Sequence, residues 1–199
     1  MSLCVLAYLV TVMSMINFKV EKLRKDELKE IVELDRMCFD ERIVFDRKIF
    51  QELLSNECCV NLAIRKKVET EDKSEGKLED KSGYKKVKKT KDKLVAFAIG
   101  LVRDVKENDV NGKEGIVLTI DVHPEMRRLG LGSMLMNSLE KEFVSRGCKY
   151  SILTVQVNNH AAISLYEKLG YRTIQKIYKY YPTNEDAYLM LKVFDVKDN

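Results

Sequence analysis

The chemically suggestive part of this sequence is a strand-to-helix turn between Ile116 and Leu135. Two basic residues and two glycines occupy the turn, namely Arg127, Arg128, Gly130 and Gly132. Glycines leave backbone N–H groups open to a ligand, because no Cβ covers them. A helix N-terminus carries a partial positive charge, and two guanidinium groups add to it. The spacing Arg-x-x-Gly-x-Gly therefore predicts a site for an anion such as a pyrophosphate.

Two common nucleotide-binding patterns do not account for this turn. No Gly-Lys-Ser/Thr follows, as a Walker loop requires, and no third glycine stands in the register of the dinucleotide-binding fold. Glycines alone would favour a plain connection between a strand and a helix. The preceding Val-x-Pro, formed by Val122 to Pro124, makes the pattern more specific. The sequence therefore favours an anion site of a different type.

The turn resembles the acetyl-CoA site of the GNAT acetyltransferases, through the pattern Arg-x-x-Gly-x-Gly at residues 127–132. A second stretch, NHAAISLYEKLGY at residues 159–171, resembles the other motif of that family. It follows the first at the distance that the family shows. Because two matches in the right order rarely arise by chance, the resemblance is taken to cover about residues 18–194. Within the GNAT enzymes it is closest to the protein N-terminal acetyltransferases, including the archaeal and RimI-like ones.

This resemblance implies a mixed α/β GNAT fold, with helices flanking a central twisted mixed sheet. Acetyl-CoA would lie where the strands Ile116–Val122 and Ser151–Val157 splay apart. The backbone of Ile120 and Val122 and the side chain of Asn159 would bond the pantetheine arm. The implied cofactor site consists of Ile120, Asp121, Val122, Arg127, Arg128, Leu129, Gly130, Leu131, Gly132, Ser133, Asn159 and Tyr166.

The resemblance also assigns the proton chemistry in part. Tyr166 would lie near the sulfur, where a phenol with a pKa of about 10 could protonate a departing thiolate. The positions at which relatives often carry a general base are Ile116 and Thr154 here, and neither accepts a proton usefully. Other candidates, acting through water, are Glu41, Asp121 and His123. The sequence does not rank these three.

The C-terminal tyrosines indicate the acceptor. Tyr180 and Tyr181 resemble the paired-tyrosine loop that faces the substrate peptide in N-terminal acetyltransferases. The apolar loop from Cys38 to Phe45, with Phe39, is either a second substrate wall or a satellite of the core. Because Asp40 follows Phe39 where relatives have Phe-Pro, their amino-terminal specificity does not transfer. An α-amine, with a pKa near 8, needs less help than a lysine with a pKa near 10.4.

The predicted function is therefore acetyl-CoA-dependent acetylation of the α-amine of protein or peptide N-termini, by direct transfer in a ternary complex in the cytoplasm. Two alternatives stay open. One is acetylation of a lysine or small amine, and the other is a degenerate module that binds acyl-CoA without turnover. The ribosome or a partner subunit also stays open as a partner.

Composition narrows the remaining classes. The chain has 199 residues, which fits one domain, and a net charge of +4. The excess charge lies in residues 65–93, which hold twelve Lys or Arg and seven Asp or Glu. With few apolar residues and only one aromatic, this segment is predicted to be a mobile loop insertion rather than a nucleic-acid site. Five cysteines without a Cys-x-x-Cys pair, and only two histidines, argue against a metal site.

Residues 1–17 are apolar and nearly uncharged. They are slightly short for a spanning helix and lack a basic leader region, so neither a membrane span nor a signal peptide is favoured. Translation that starts at Met13 or Met15 would remove most of them, whereas a genuine extension would pack on the domain or on a second copy. Residues 195–199 read as a short tail.

Periodicity predicts the element order βααβββαβαββ. Helices are expected around Lys25–Met37, after the cap residue Asp46, from near Gly130 to Arg146, and over Asn159–Leu169. Strands are expected at Phe18–Leu23, Cys59–Ile64, Leu94–Val102, Ile116–Val122, Ser151–Val157, Tyr171–Tyr180 and Ala187–Phe194.

Overall fold

The computed structural model describes residues 18–70, 89–107 and 110–195. They form a mixed sheet with helices on both faces. The strands are β1 Val20–Lys22, β2 Cys59–Thr70, β3 Lys89–Glu107, β4 Val110–Val122, β5 Cys148–Gln156, β6 Arg172–Ile177 and β7 Ala187–Val193. The α-helices are α1 Leu28–Cys38, α2 Arg47–Ser55, α3 Leu131–Ser145 and α4 His160–Lys168. The predicted element order and the mixed α/β class are confirmed.

The strand order in the sheet is β1-β2-β3-β4-β5-β7-β6. All neighbouring strands are antiparallel except β4 and β5, which run parallel. The β4–β5 ladder ends where Val117 pairs with Leu153. Beyond that pair β4 continues to Val122 and β5 to Gln156, each still paired with its other neighbour. The predicted splay between these two strands is therefore confirmed.

Helices α3 and α4 cover one face of the sheet, and α1 and α2 cover the other. Apolar spacing predicts an inward face of α3 that is indeed at most 1% exposed; its members are Leu131, Leu135, Leu139 and Phe143. Asp46 caps α2 as predicted, since its Oδ1 accepts a hydrogen bond from the backbone of Ile49. The same spacing predicts that Met37 of α1 and Ile49 of α2 face inward, and this is wrong because both side chains are exposed.

The charged segment is more ordered at its ends than predicted. Strands β2 and β3 pair from Arg65 with Leu94 out to Thr70 with Lys89, so residues 65–70 and 89–93 are not loop. The side chain of Arg65 is only 5% exposed, and its Nε donates to Glu27 Oε1 at 2.6 Å. The ion pair with Glu27 and the β2–β3 ladder therefore order residues that composition alone predicted to be a mobile loop. The predicted mobility of residues 71–88 lies outside the described residues, as do residues 1–17 and 196–199.

Phe143 of α3 lies directly over two glycines of neighbouring strands. An added Cβ at Gly115 of β4 would lie 2.4 Å from Phe143 Cδ2, and one at Gly100 of β3 would lie 2.4 Å from Phe143 Cζ. Contacts that short force atoms to move. The missing Cβ atoms therefore set how closely α3 packs on the sheet beside the splay.

We expect Gly115→Ala to lower the free energy of unfolding by about 1–3 kcal/mol, because the new methyl group overpacks the Phe143 ring. Urea denaturation measures this. Gly112→Ala is the matched control on the same strand, since a Cβ there meets nothing within 4 Å. Equal stability of the two variants would show that the Phe143 contact is not limiting.

Candidate active site

The predicted anion site, residues 127–132, will be called the anion cradle. It follows β4 through a 3₁₀ turn, Pro124–Met126, and leads into α3. Arg128 has a φ of 63° and Gly130 a φ of 78°, so the chain makes a left-handed turn immediately before the helix. Gly130 is the N-cap and supplies no side chain to the first N–H groups of α3. These donors are therefore open to an external acceptor, as the sequence predicted.

The cradle also has the charge that an anion requires. Arg127 and Arg128 are both exposed, and Arg127 Nε donates to the carbonyl oxygen of Val122 at 3.2 Å. A Cβ at Gly132 would lie 3.1 Å from Leu165 Cδ2, so the first turn of α3 packs closely on α4. The remaining cradle residues vary in burial: Leu131 is fully buried, and Leu129, Gly132 and Ser133 are half-buried. This turn fits a pyrophosphate.

The last residues of β4 point alternately to the two faces of the sheet. Ile120 and Val122 pack against the core under α3 and α4. Asp121 lies on the opposite face, next to α1, and is completely buried. Asp121 was predicted to belong to the cofactor site, but its side chain lies on the α1 side of the sheet, opposite those of Ile120 and Val122.

Asp121 has an unusual environment. Its Oδ2 accepts a hydrogen bond from the Thr119 hydroxyl at 2.7 Å, whereas Oδ1 has no partner among the described residues. Burial raises the pKa of Asp121 to about 8, and the negative charge of Asp35 contributes to the increase. Burial likewise raises the pKa of Asp35 to about 6, although a hydrogen bond from the backbone of Phe45 opposes it.

Tyr166 is buried in α4, with its ring edge-on to Tyr171 at 6.0 Å between centroids. Burial raises the pKa of the Tyr166 phenol, and the charges of Tyr181 and Asp121 raise it further. The phenol is therefore protonated at neutral pH, as a hydrogen-bond donor must be. Asn159 caps the same helix, because its Oδ1 accepts from the backbone of Ala162 at 3.1 Å. Only its amide Nδ2 is left to bond a ligand.

The three base candidates do not come together. Glu41 is exposed in the turn that follows α1. His123 is half-buried, and its Nδ1 already accepts a hydrogen bond from the backbone of Glu125 at 3.3 Å. Asp121 is buried on the α1 side, so the three carboxyl and imidazole groups occupy separate environments.

Two loops flank the opening between β4 and β5. The first, residues 39–46, joins α1 to α2 and will be called the acceptor loop. The second, residues 178–186, joins β6 to β7 and will be called the tyrosine loop. A hydrogen bond from Thr183 lowers the pKa of Glu185 in the tyrosine loop, and the charge of Arg42 in the acceptor loop adds a smaller effect in the same direction.

The tyrosine loop is fastened to β5. Tyr180 and Tyr181 stack edge-on with centroids 4.9 Å apart, and the Thr154 hydroxyl donates to Tyr180 Oη at 3.4 Å. Glu185 accepts hydrogen bonds from Gln156 at 2.7 Å and from Asn158 at 3.2 Å. Burial raises the pKa of Tyr181 to about 12, and Tyr180 adds to this. Thr154, at the position where relatives often have a base, here holds the paired tyrosines.

Sequence reasoning missed two residues of α1 that face the end of β4. Asp35 is buried, and the half-buried Cys38 donates from Sγ to the carbonyl oxygen of Val122 at 3.5 Å. Both residues continue the apolar stripe of Ile31 and Leu34 at helical spacing. A charged residue within such a stripe was the available signal.

Among the described residues, no group of three or more His, Cys, Asp or Glu side chains could hold a metal ion. The described cysteines are free thiols, namely Cys38, Cys58, Cys59 and Cys148. No helix in the described part of the chain is long and apolar enough to cross a membrane.

Comparison with known sequences identifies the family. A profile of the acetyltransferase (GNAT) family matches residues 49–171. An uncharacterised N-acetyltransferase of Methanocaldococcus jannaschii is 38% identical over 79 residues, which are 39% of this chain and 51% of the relative. The ribosomal protein bS18-alanine N-acetyltransferase of Salmonella typhimurium is 38% identical over 102 residues, which are 50% of this chain and 64% of the relative. The chain thus spans about half to two thirds of these curated relatives.

Solved structures agree in fold. The ribosomal-protein-S18-alanine N-acetyltransferase from Escherichia coli matches with a TM-score of 0.65 and 24% identity, over 92% of this chain and 97% of that one. Arabidopsis thaliana NAA60, solved in complex with acetyl-CoA, matches with a TM-score of 0.70 and 18% identity, over 90% and 100%. The GNAT fold predicted from the sequence is therefore confirmed.

If the cradle holds a pyrophosphate, Gly130→Asp should weaken CoA binding at least about tenfold, because it places a negative charge at the anion site. Gly130→Asn is the matched control: Asn also tolerates a positive φ and has the same shape without the charge. Calorimetric titration with CoA compares the two variants. Similar CoA affinity for the Asp and Asn variants would contradict the pyrophosphate assignment.

Proposed function

We propose that this chain, which belongs to the acetyltransferase (GNAT) family, transfers the acetyl group of acetyl-CoA to the α-amine of a protein or peptide N-terminus. The observation that carries the proposal is the opening between β4 and β5, with the anion cradle at one end and the paired tyrosines at the other. One end suits a nucleotide pyrophosphate. The other is bounded by two loops and suits an extended peptide.

The comparisons support a protein acceptor. Similar proteins are named as alanine N-acetyltransferases of a ribosomal protein, and other similar structures were solved with a peptide and CoA or with the bisubstrate analogue CoA-Ac-MVNAL. We extend the proposal to a cytoplasmic protein substrate, with the ribosome or a partner subunit as the presenting surface. The half-buried acceptor loop, with Phe39, Ile43, Val44 and Phe45, supplies an apolar wall for the first residues of such a peptide.

Acetyl-CoA would be held by the residues that the sequence predicted. The first turn of α3 and the two cradle arginines would bind the pyrophosphate, and Asn159 Nδ2 would bond the pantetheine arm. In the reaction the amine nitrogen forms an amide bond to the acetyl carbon, the C–S bond breaks, and the amine loses one proton. The bound cosubstrate supplies the activated thioester.

The chain contributes little base to this reaction. An α-amine with a pKa near 8 is already about one-tenth unprotonated at pH 7, so water near His123 or Glu41 can accept the remaining proton. Tyr166 acts on the sulfur instead. A phenol has a higher pKa than a thiol, and burial raises the pKa of Tyr166 further, so a hydrogen bond to the departing thiolate is favoured over full proton transfer.

A panel of short peptides tests the acceptor class. We expect turnover with a free α-amine and none with the same peptide blocked at its N-terminus, even when it contains a lysine. Mass spectrometry locates the acetyl group. Acetylation of the blocked peptide at lysine would replace this proposal with lysine acetylation. CoA binding without turnover on any free-amine peptide or small amine would instead indicate a non-catalytic module.

Tyr166→Phe should lower kcat by about 10²-fold while acetyl-CoA binding and folding persist, because only the hydroxyl is removed. Single-turnover kinetics on a peptide substrate isolates the chemical step. Tyr171→Phe is the matched control, since it removes a neighbouring buried hydroxyl on the β6 side of the same ring pair. A wild-type rate for Tyr166→Phe would make this tyrosine a packing residue.

A further inference from the structure

Two carboxyl groups are buried together between α1 and the end of β4. Asp35 is 2% exposed and Asp121 is 0% exposed. Among the described residues neither forms an ion pair, and each has one hydrogen-bonded oxygen: Asp35 Oδ2 accepts from the backbone of Phe45, and Asp121 Oδ2 from Thr119. Two ionised carboxylates close together in such a place repel each other and lack hydration.

The groups around the pair do not neutralise it. Helix α1 contributes Cys38 and, on its solvent side, Arg36. The loop after β4 contributes Arg127, which is exposed and donates to the Val122 carbonyl. From α4 only Tyr166 interacts with the pair, and from β3 the residue in register with Asp121 is Phe97. The charges of Arg36 and Arg127 lower the pKa values of the pair, and a hydrogen bond from Cys38 also lowers that of Asp121, but burial has the larger effect. Both guanidinium groups are exposed, so a proton is the available means of removing one buried negative charge.

Helix α1 has contacts on both sides of the proposed site. On the acceptor side, Asp35 Oδ2 accepts a hydrogen bond from the backbone N–H of Phe45 at 3.0 Å, and Phe45 is the last apolar residue of the acceptor loop. On the cofactor side, the carbonyl oxygen of Val122, which follows Asp121, accepts hydrogen bonds from Cys38 of α1 and from Arg127 of the cradle. Because Asp35 and Cys38 lie on the same face of α1, this helix joins the acceptor loop to the strand that would bind acetyl-CoA.

We propose that the buried carboxyls of Asp35 and Asp121 together keep one proton at neutral pH, here called the shared proton, and that this proton holds the acceptor loop against the end of β4 in the arrangement that binds the acceptor peptide. The role in peptide binding rests on the proposed function; the shared proton does not. Both are positioning residues. When the pair gives up its proton to solvent, two buried negative charges repel each other across the α1–β4 contact, and the acceptor loop is released.

The pH dependence follows from the direction of the pKa changes. Both carboxyls have pKa values raised above the unfolded value of about 3.9, to about 6 and about 8. The folded state then binds more protons than the unfolded state, so the stabilisation is complete below about pH 4 and is lost as pH rises to about 8. The shared proton itself leaves near the upper value, where acceptor binding should weaken.

Three variants of the full-length protein test the proposal. Asp121→Asn and Asp35→Asn each remove one charge and keep the shape of the side chain. Glu114→Gln is the control: Glu114 is buried on the same strand but pairs with Arg103, far from the acceptor loop. The acceptor KM, kcat and thermal midpoint are measured against pH, and side-chain carboxyl carbons are titrated by NMR without substrate.

We expect the wild-type KM for peptide, relative to that of Asp121→Asn, to rise by up to about tenfold per pH unit above pH 8, with kcat little changed. The ionisation of the peptide cancels in this ratio. The thermal midpoint of the wild type should fall relative to Asp121→Asn between about pH 5 and pH 8. Glu114→Gln should keep the wild-type pH dependence, even if it is less stable.

If the ratio of the wild-type KM to the Asp121→Asn KM does not change with pH, the positioning role is overturned. A loss of kcat of about 10²-fold or more in Asp121→Asn at every pH would also overturn it, because Asp121 would then take part in the proton chemistry. The NMR titration is independent of activity. If neither aspartate carboxyl titrates above about pH 7 in the wild type, no shared proton exists, whether or not any peptide is acetylated. If one does, and Asp35→Asn lowers the pKa of Asp121, the pair stands even where the proposed function fails.

Discussion

The separation of β4 from β5 is the constraint on which the candidate site depends. Beyond the pairing of Val117 with Leu153 these strands stop bonding to each other, yet β4 stays paired with β3 as far as Val122 and β5 with β7 as far as Gln156. The gap is thus held open by ladders on both sides and is not a frayed end. Backbone groups that line such a gap need partners from elsewhere. An extended ligand with amide groups, such as a pantetheine arm, meets that need.

Other buried acidic side chains among the described residues have a basic partner, unlike the two between α1 and β4. Glu27 pairs with Arg65, Glu114 with Arg103 and Glu140 with Lys192. Each of these pairs lies away from the splay and joins elements by opposite charges, which is the usual way to bury a carboxylate. Asp35 and Asp121 have no such partner among the described residues. These two carboxyls lie where the two halves of the proposed site meet, and the proposed proton would take the place of the missing counter-charge.

The parts predicted correctly from sequence are those that local spacing determines. The turn that leads into α3, the inward face of α3 and the cap at Asp46 each depend on residues within a few positions of one another. Contacts between distant segments were not predictable in this way. The ion pair of Arg65 with Glu27 and the effect of the Asp35 charge on Asp121 have no local sequence pattern. Each requires the fold to bring separate elements together. Of these residues only Asp35 could have been recognised from the sequence, because it is a charged residue within the apolar stripe of a helix.

The loss of both family base positions has a structural counterpart. Ile116 lies half-buried in β4, and Thr154 uses its hydroxyl to hold Tyr180, so neither position is free for proton transfer. A site of this kind is better matched to an amine that is partly unprotonated at neutral pH than to a lysine, whose pKa near 10.4 leaves less than about a thousandth in the reactive form. Thr154 instead hydrogen-bonds the tyrosine loop, which would face the acceptor in the proposed function. Precise placement of an already reactive amine can then contribute more to the rate than proton removal does.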